Sequence, residues 1–254
     1  MLIVQRQQRL LELLEARQTA SLEELSRELD VSASTVRRDL EALEKRGAVE
    51  RTHGGAVYKG QPRPNGGLSP HPSLATRMRE NTAAKRAIGA AAAAMIEPNM
   101  TVMLDGGSTV VIAAEQITAR PIQIVTNSLS IAQMFKDDES AEIVMAGGTL
   151  YPRTEVTTGA LCRGTLAELH ADIAFMSLAG IYGDDAFNIN MAMANVEQVM
   201  MRQATRCVLL MDASKFGRRS LARVASLGEF DRIITDAAID ADWPDRLGER
   251  LVVA

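Results

Sequence analysis

Apolar residues recur with a helical period through the first third of the chain. Leucines repeat three and four positions apart within residues 5–16, and a second set repeats within residues 22–29. Ser21 and Glu24 have the spacing of a capping box, which predicts the start of the second helix. The pattern therefore predicts two short amphipathic helices, separated by a break at residues 18–20.

A third helical stripe is formed by Val36, Leu40 and Leu43. Only residues 30–32 separate it from the preceding helix, which is the spacing of a helix-turn-helix turn. Ser32 stands where an N-cap is needed. Downstream, two short alternating stretches flank residues 52–55 and predict a β-hairpin wing.

Polar residues early in the third helix lie off its apolar stripe. The N-terminal part of a recognition helix is the part that meets base edges in the major groove. Arginine grips guanine with two hydrogen bonds, and small hydroxyls bond bases or phosphates. Two adjacent arginines alone are more often an ordinary solvated face, but the helix-turn-helix pattern around Arg37 and Arg38 favours DNA contact.

The stretch VSASTVRRDLEALEKRG, followed by RTHGGA, resembles the N-terminal motif of the DeoR family of bacterial transcriptional regulators. The match is nearly continuous over residues 9–56, and the paired arginines and the His-Gly-Gly-Ala of the wing are its most distinctive parts. The resemblance implies that the protein contacts double-stranded DNA. The expected DNA-binding residues are Ser32, Ser34, Thr35, Arg37, Arg38, Arg51 and His53.

Residues 60–72 contain four prolines and three glycines, a composition that predicts a domain linker. We therefore expect a winged helix-turn-helix domain over residues 1–59, a linker over 60–76 and an effector domain over 77–254. The chain becomes helical again at residues 74–88. We interpret the basic residues of that stretch mostly as a solvated face, with one or two reaching a ligand: Arg77, Arg79, Lys85 and Arg86.

The second half of the chain alternates short apolar strands with helices, which predicts an α/β domain with a mostly parallel sheet. The expected strands are residues 101–104, 122–125, 142–146, 173–177, 208–211, 233–235 and 251–253. The expected helices are residues 83–96, 108–116, 128–135, 161–169 and one near 195–205.

Three of the predicted strands end in loops rich in glycine and hydroxyl groups, and ligands bind such sheets where the strands end. Glycines let backbone amides approach an anion, and a later lysine adds full charge. One Gly-Gly pair is more often a simple turn, and Glu197 is either a ligand contact or a helix-surface acid. The expected effector-binding residues are Asp105, Gly106, Gly107, Ser108, Thr109, Thr126, Asn127, Ser128, Gly147, Gly148, Glu197 and Lys215.

The motifs DGGST, TNSL, AGG and DASKFG occur in the order of the DeoR effector domain, so the resemblance covers nearly the whole chain. That domain is similar to ribose-5-phosphate isomerase and CoA-transferase-like folds. The resemblance implies an effector that is a phosphorylated sugar or a related metabolite.

The net charge of −4 is unusual for a DNA-binding protein. Between Arg37 and Arg63, however, seven basic and four acidic residues give a local balance of +3. The field near DNA depends on this local arrangement, whereas the overall acidity argues against sequence-blind binding.

Cys162 and Cys207 are expected to be buried apolar residues rather than a disulfide or metal site. The three histidines show no ligand spacing, so we expect neither metal nor cofactor. No apolar run reaches membrane-spanning length, and we expect a cytoplasmic protein without membrane contact.

The leading hypothesis is a transcriptional regulator, more often a repressor than an activator, of a sugar or polyol catabolic operon. A palindromic operator implies a homodimer or homotetramer. The alternative is a sugar-phosphate isomerase with an added DNA module. The isomerases that the chain resembles carry an Asp-Gly-Ala-Asp-Glu segment where residues 178–183 here lack carboxylates, so we expect no enzyme and no catalytic residues. A DNA-organising protein is a third, less favoured class.

Overall fold

The chain divides into two compact units between Pro72 and Ser73. The structure, a computed structural model, describes residues 3–17, 19–45, 48–52, 54–58 and 72–254. His53 and residues 60–71 of the expected linker lie outside the described residues. The remaining linker positions include Leu74, which already begins a helix of the second unit.

The first unit has three helices and a small sheet in the part that the structure describes. Its elements are α1 Ile3–Arg17, β1 Thr19–Ser21, α2 Leu22–Leu29, α3 Ala33–Lys45, β2 Val49–Arg51 and β3 Gly55–Tyr58. The three strands form an antiparallel sheet in the order β1-β3-β2. This is a winged helix-turn-helix, so the predicted fold of this part is confirmed.

Local signals in the sequence explain these helix boundaries. The Ser21 side chain accepts from Glu24 N and the Glu24 side chain accepts from Ser21 N, which completes the predicted capping box at α2. Asp30 then turns the chain with φ of 50° before α3 begins. Val36, Leu40 and Leu43 are each at most 1% exposed and pack with the leucines of α1 and α2. The apolar stripe of α3 therefore faces the core, and the start of the helix, with Ser34, Arg37 and Arg38, stays exposed.

The second unit is built from one large sheet with helices on both sides. Its first elements are α4 Leu74–Arg79, α5 Thr82–Ala93, β4 Thr101–Leu104, α6 Ser108–Ala114, β5 Ile122–Thr126, α7 Leu129–Phe135, β6 Ala141–Met145, β7 Thr149–Tyr151 and β8 Val156–Thr158. They are followed by α8 Ala160–Ala167, β9 Ala171–Met176, β10 Gly180–Tyr182, β11 Asp185–Asn188, α9 Met191–Arg202, β12 Ala204–Leu210, β13 Ala222–Ser226, β14 Arg232–Thr235, α10 Asp242–Leu247 and β15 Leu251–Val253.

Seven strands form the large sheet in the order β15-β14-β12-β9-β4-β5-β6, and every neighbouring pair is parallel. Consecutive residues of the central strands enter different cores. Val102 and Leu104 pack into one cluster, whereas Met103 packs into another on the opposite face. Both faces are thus covered, as a parallel sheet requires, and the predicted α/β fold is confirmed.

Several short antiparallel strands were not predicted. β7 and β8 form a hairpin, and β10, β11 and β13 form a separate three-stranded sheet. β1 was interpreted only as a break in the helical pattern. These strands are three to five residues long, and partners distant in the sequence hold several of them in place.

Both cysteines are free and buried, which confirms the interpretation of Cys162 and Cys207 as apolar residues. Cys162 packs between α8 and the sheet, and Cys207 lies in β12 beside Met176. No described helix is long and apolar enough to cross a membrane.

Candidate functional site

The start of α3 carries a cluster of hydroxyl groups. The Ser32 Oγ accepts from Thr35 N at 3.3 Å, as an N-cap does, and lies 2.9 Å from both Ser34 Oγ and Thr35 Oγ1. Ser32 and Ser34 are exposed, and Thr35 is half-buried. This cluster presents hydroxyl donors and acceptors to solvent, the groups that bond phosphates and base edges.

Arg37 and Arg38 are both exposed on α3. Neither forms a hydrogen bond or ion pair with another residue in the described parts of the chain, so both guanidinium groups remain available. They follow the hydroxyl cluster by one turn, on the half of the helix that enters a major groove in this fold. Their placement agrees with the expected DNA contacts.

Arg51 of β2 is differently placed. Its Nε donates to Glu44 Oε2 and its guanidinium reaches Glu41 Oε1, both at 2.8 Å, so it is bound to α3. Its backbone N–H also donates to Glu44. Arg51 therefore fixes the first strand of the wing against α3, and its expected DNA contact would require these ion pairs to open.

Sequence reasoning missed the role of Asp39. Asp39 is 3% exposed, and its carboxylate accepts from Arg6 Nε at 2.6 Å and from Gln7 Nε2 at 3.2 Å. An acid beside two arginines in a DNA-binding helix resembles a surface charge in the sequence. In the fold it joins α3 to α1 and orients the exposed face of α3.

In the second unit, the parallel order places the ends of β4, β5, β6, β9 and β12 at one edge of the sheet. The three glycine-hydroxyl loops follow β4, β5 and β6, and the loop carrying Lys215 follows β12. The expected effector residues of these four loops therefore lie along the same edge, where α/β sheets bind ligands.

Asp105 lies at the centre of this edge and is 6% exposed. Its Oδ2 accepts from the backbone N–H groups of Gly107 at 3.1 Å and Ser177 at 3.2 Å. Burial raises the pKa of Asp105, while backbone hydrogen bonds and the charge of Arg77 oppose that rise. The carboxylate thus organises the loops after β4 and β9.

Two glycines after β4 are required for close packing. A Cβ on Gly106 would lie 2.1 Å from Val156 Cγ1, and a Cβ on Gly107 would lie 2.5 Å from Ser177 Cβ. Gly148 has φ of +131° and packs equally closely against Thr158 O, whereas Gly147 borders open space. The glycine pairs therefore shape the loops, and Gly147 leaves its backbone accessible.

Other expected effector residues already have partners in the fold. Thr126 Oγ1 donates to Leu104 O at 2.7 Å, and Ser128 Oγ accepts from Ile131 N as the N-cap of α7. Both are fully buried. Asn127 Nδ2 donates to Thr157 O, which leaves its carbonyl oxygen Oδ1 without a partner. Of these three residues, Asn127 alone retains a free polar atom for a ligand.

Glu197 of α9 is not a helix-surface acid, because it is only 3% exposed. Asn188 of β11 donates to its Oε1, while its Oε2 has no partner. Burial, reinforced by the charge of Asp105, raises the pKa of Glu197 well above its ordinary value. The two carboxyl groups therefore lie close enough to interact.

The four basic residues of α4 and α5 divide between solvent and the interior, and the expectation that one or two of them reach a ligand stays a prediction. Arg79 and Arg86 are exposed, but Lys85 is 2% exposed and Arg77 carries a buried Nε without a partner. Lys85 Nζ donates to Arg77 O. Arg77 acts electrostatically on Asp105, and Lys85 interacts with the charges at Asp212 and Lys215. Arg77 and Lys85 are thus the two cations of this stretch that act on charged groups of the carboxyl edge.

Lys215 lies in a short turn that is tied to the same cluster. Asp212 accepts from Asn81 Nδ2 at 2.8 Å, and the same amide lies 3.2 Å from Ser214 Oγ. The next residue, Phe216, packs edge-on against Trp243 with ring centroids 5.0 Å apart. Lys215 is half-buried on this anchored turn. Burial lowers the pKa of Lys85 to about 8, and the nearby charge of Lys215 contributes to that decrease.

Four buried side-chain atoms lack a hydrogen-bond partner in the described part of the chain: Arg77 Nε, Asn127 Oδ1, Glu197 Oε2 and Thr235 Oγ1. Asn127 and Thr235 stand at the carboxyl ends of β5 and β14, and Arg77 and Glu197 both interact with Asp105 there. Buried polar groups are normally satisfied by protein, water or ligand. The four atoms thus lie along the carboxyl edge of the sheet, where cationic and acidic side chains are also present.

A winged helix-turn-helix unit followed by a parallel α/β unit with a polar carboxyl edge is the architecture of a class of ligand-responsive transcriptional regulators. The DeoR-like helix-turn-helix domain matches residues 6–61, and the DeoR C terminal sensor domain matches residues 80–237. The chain therefore belongs to the DeoR family of transcriptional regulators.

Relatives of similar length support the same conclusion. The HTH-type transcriptional regulator GlpR of Haloferax volcanii is 33% identical over 95% of this chain and 93% of its own length. The L-fucose operon activator of Escherichia coli is 32% identical over 91% of this chain and 94% of its own length.

Among solved structures, ribose 5-phosphate isomerase A from Methanocaldococcus jannaschii matches 54% of this chain and 55% of its own, with 18% identity and a TM-score of 0.39.

Proposed function

We propose that this regulator represses a sugar or polyol catabolic operon. A phosphorylated sugar binds at the carboxyl edge of the large sheet and changes the affinity of the protein for the operator. The observation that carries the proposal is that unpartnered buried polar atoms and three basic residues, Arg77, Lys85 and Lys215, occur along the same edge of the sheet. A phosphate suits the basic side, and hydroxyl groups suit Asn127 and the two buried acids.

The DNA contacts are assigned to the hydroxyl cluster and free arginines of α3, and the wing contributes through Arg51 and His53. The protein acts in the cytoplasm as a homodimer or homotetramer, because a two-fold operator requires two copies of α3. Regulation requires two conformations of the protein that differ in their affinity for DNA. The effector must bind one of these conformations better than the other, since a ligand shifts an equilibrium only through differential affinity.

The DNA assignment is tested with fluorescence anisotropy on DNA from upstream of the protein's own gene at physiological salt. Arg37→Ala and Arg38→Ala are each expected to weaken selective binding by about 1–3 kcal/mol. Arg202→Ala removes an exposed arginine from α9 and serves as the matched control. Absence of sequence-selective binding by the unaltered protein would refute the proposal.

The effector assignment is tested by a thermal-shift screen of phosphorylated sugars and polyols, since a ligand that binds the folded state raises Tm. Thr109→Val and Lys215→Met are expected to abolish the shift that an effector produces. Lys136→Met, at an exposed lysine paired with Asp137, should leave it unchanged. A shift that survives both site variants would place the ligand elsewhere.

The alternative function is a sugar-phosphate isomerase, for which the buried Glu197 supplies a candidate base. Residues 177–183, which follow β9, carry no carboxylate that could assist this base in catalysis. We therefore assign no catalytic residues. Measurable isomerisation of ribose 5-phosphate by the purified protein would reverse this ranking.

A further inference from the structure

Two buried carboxyl groups share the acidic side of the proposed effector site. Asp105 is 6% exposed and Glu197 is 3% exposed, and the charge of Asp105 acts on Glu197. Burial disfavours the charged form of each acid, and two like charges in a low-dielectric region also disfavour each other, so such a pair retains a proton. The question is which carboxyl group holds it.

Their hydrogen bonds distinguish the two groups. Asp105 Oδ2 accepts two backbone N–H donors, from Gly107 and Ser177, and such bonds favour the ionised form. Glu197 receives only the side-chain amide of Asn188, on Oε1. Arg77 acts on Asp105 as well, which further stabilises the negative charge there. The geometry therefore places the charge on Asp105 and the proton on Glu197.

In the described part of the chain, Asp105 is the charged group that raises the pKa of Glu197. Burial and the charge of Asp105 raise the pKa of Glu197, and the amide of Asn188 opposes them. The elements packed against α9 carry further titratable side chains, none of which shifts this acid: Cys162 and Arg163 of α8, Asp172 of β9, Asp185 of β11, Arg206 and Cys207 of β12, and Arg223 of β13.

We propose that Glu197 binds the effector as a neutral carboxylic acid, donating the hydrogen on Oε2 to a sugar or polyol oxygen while Asp105 stays ionised. This rests on the proposed function, since it concerns the same effector site. Oε2 is the carboxyl oxygen that the fold leaves without a partner. Glu197 is thus a specificity-determining residue that recognises a hydrogen-bond acceptor, and an ionised Glu197 would repel that acceptor.

The first test compares Glu197→Gln with Glu197→Ala. Glutamine has the shape of the neutral acid, keeps an oxygen for Asn188 and places an N–H donor where Oε2 lies. Binding of ribose 5-phosphate, glycerol 3-phosphate and glucose 6-phosphate is measured by calorimetry at pH 7, with inorganic phosphate as a control. Glu197→Gln should keep Kd within about threefold, whereas Glu197→Ala should weaken binding by about tenfold or more.

The second test uses pH. Wild-type affinity should fall as pH rises and Glu197 loses its proton, whereas the glutamine variant has no proton to lose. Lys85 and the ligand phosphate titrate in both proteins, so the ratio of the two Kd values isolates Glu197. We expect the Kd of the wild type, divided by the Kd of the glutamine variant, to increase as pH rises from 6 to 9.

The third test needs no ligand. The folded state keeps a proton on Glu197 that the unfolded chain releases near the ordinary carboxyl pKa. The unfolding constant of the wild type should therefore rise relative to Glu197→Gln by up to about tenfold per pH unit above that value, until the folded-state pKa is reached. Parallel pH profiles for the two proteins would show that Glu197 is ionised and would overturn the assignment.

The outcomes separate the two proposals. If these sugar phosphates bind the wild type and Glu197→Gln loses as much affinity as Glu197→Ala, the donor role is wrong and the proposed function stands. If none of the tested sugar phosphates, nor any other phosphorylated sugar or polyol, binds the wild type, both fail. Retained binding by the glutamine variant, together with a wild-type Kd that increases relative to that of the variant as pH rises, supports the donor role.

Discussion

Asp39 in α3 and Arg6 in α1 are joined by a 2.6 Å hydrogen bond between Oδ2 and Nε, with side-chain exposures of only 5% and 15%. Gln7 donates to the other oxygen of the same carboxylate. The link crosses the first unit between elements more than 30 residues apart in sequence. It fixes the angle at which α3 presents Arg37 and Arg38.

Asp39→Ala should therefore weaken both stability and DNA binding. Loss of the buried acceptor is expected to lower the free energy of unfolding by about 2 kcal/mol, measured by urea denaturation. Glu12→Gln removes the acid from the exposed Arg9–Glu12 pair and should have almost no effect. Equal stability of the two variants would contradict a structural role for Asp39.

The ion pairs of Arg51 with Glu41 and Glu44 predict a gain in DNA affinity when the acids are neutralised. Glu44→Gln releases one restraint on the arginine and removes a negative charge near the DNA. We expect affinity to rise by about two- to tenfold, with a steeper dependence on salt. Glu23→Gln, an exposed acid on α2, makes the same change in charge and serves as the control.

A rise in affinity for Glu44→Gln that matches the rise for Glu23→Gln would mean that only net charge matters. A fall in affinity would show that Arg51 serves DNA binding by holding the wing against α3. Salt titrations of anisotropy distinguish these results, because each added phosphate contact steepens the slope by about one unit.

Lys85 predicts an unusual dependence of stability on alkaline pH. Burial lowers its pKa from 10.5 to about 8 in the folded state. Between these values the unfolded chain binds a proton that the folded chain lacks, so stability should rise with pH by up to about 1.4 kcal/mol per unit. Lys85→Met should remove this rise, and Lys136→Met should retain it. Urea denaturation from pH 8 to 10 provides the measurement.

Gly106 and Gly147 form a matched pair for testing the glycine loops. A methyl group at Gly106 would meet Val156 at 2.1 Å, whereas one at Gly147 would meet no atom within 4 Å. Gly106→Ala should therefore cost about 1–3 kcal/mol of stability through overpacking. Gly147→Ala should preserve stability, and any loss of effector response in that variant would identify a backbone contact with the ligand. Similar melting points for the two variants would contradict the packing argument.

The sequence by itself determined the elements that local patterns control. The leucine spacing, the Ser21–Glu24 capping box and the three-residue turn specified the helix-turn-helix, because those signals act between residues a few positions apart. The strand and helix alternation likewise predicted the strands of the large sheet. It also placed the glycine-hydroxyl loops at the ends of those strands, since parallel topology leaves few alternatives.

Only the tertiary structure decided which polar groups are buried and which have partners. Lys85 and Asp39 have the helical spacing of surface charges, yet packing against distant elements encloses both. Thr126 and Ser128 resembled ligand contacts, yet their hydroxyls serve neighbouring backbone groups. Burial and pairing depend on contacts between residues far apart in the chain, and these contacts leave no periodic signal in the sequence. The proton assigned to Glu197 has the same origin, because it depends on the burial of Glu197 and on the nearby charge of Asp105 in the folded state.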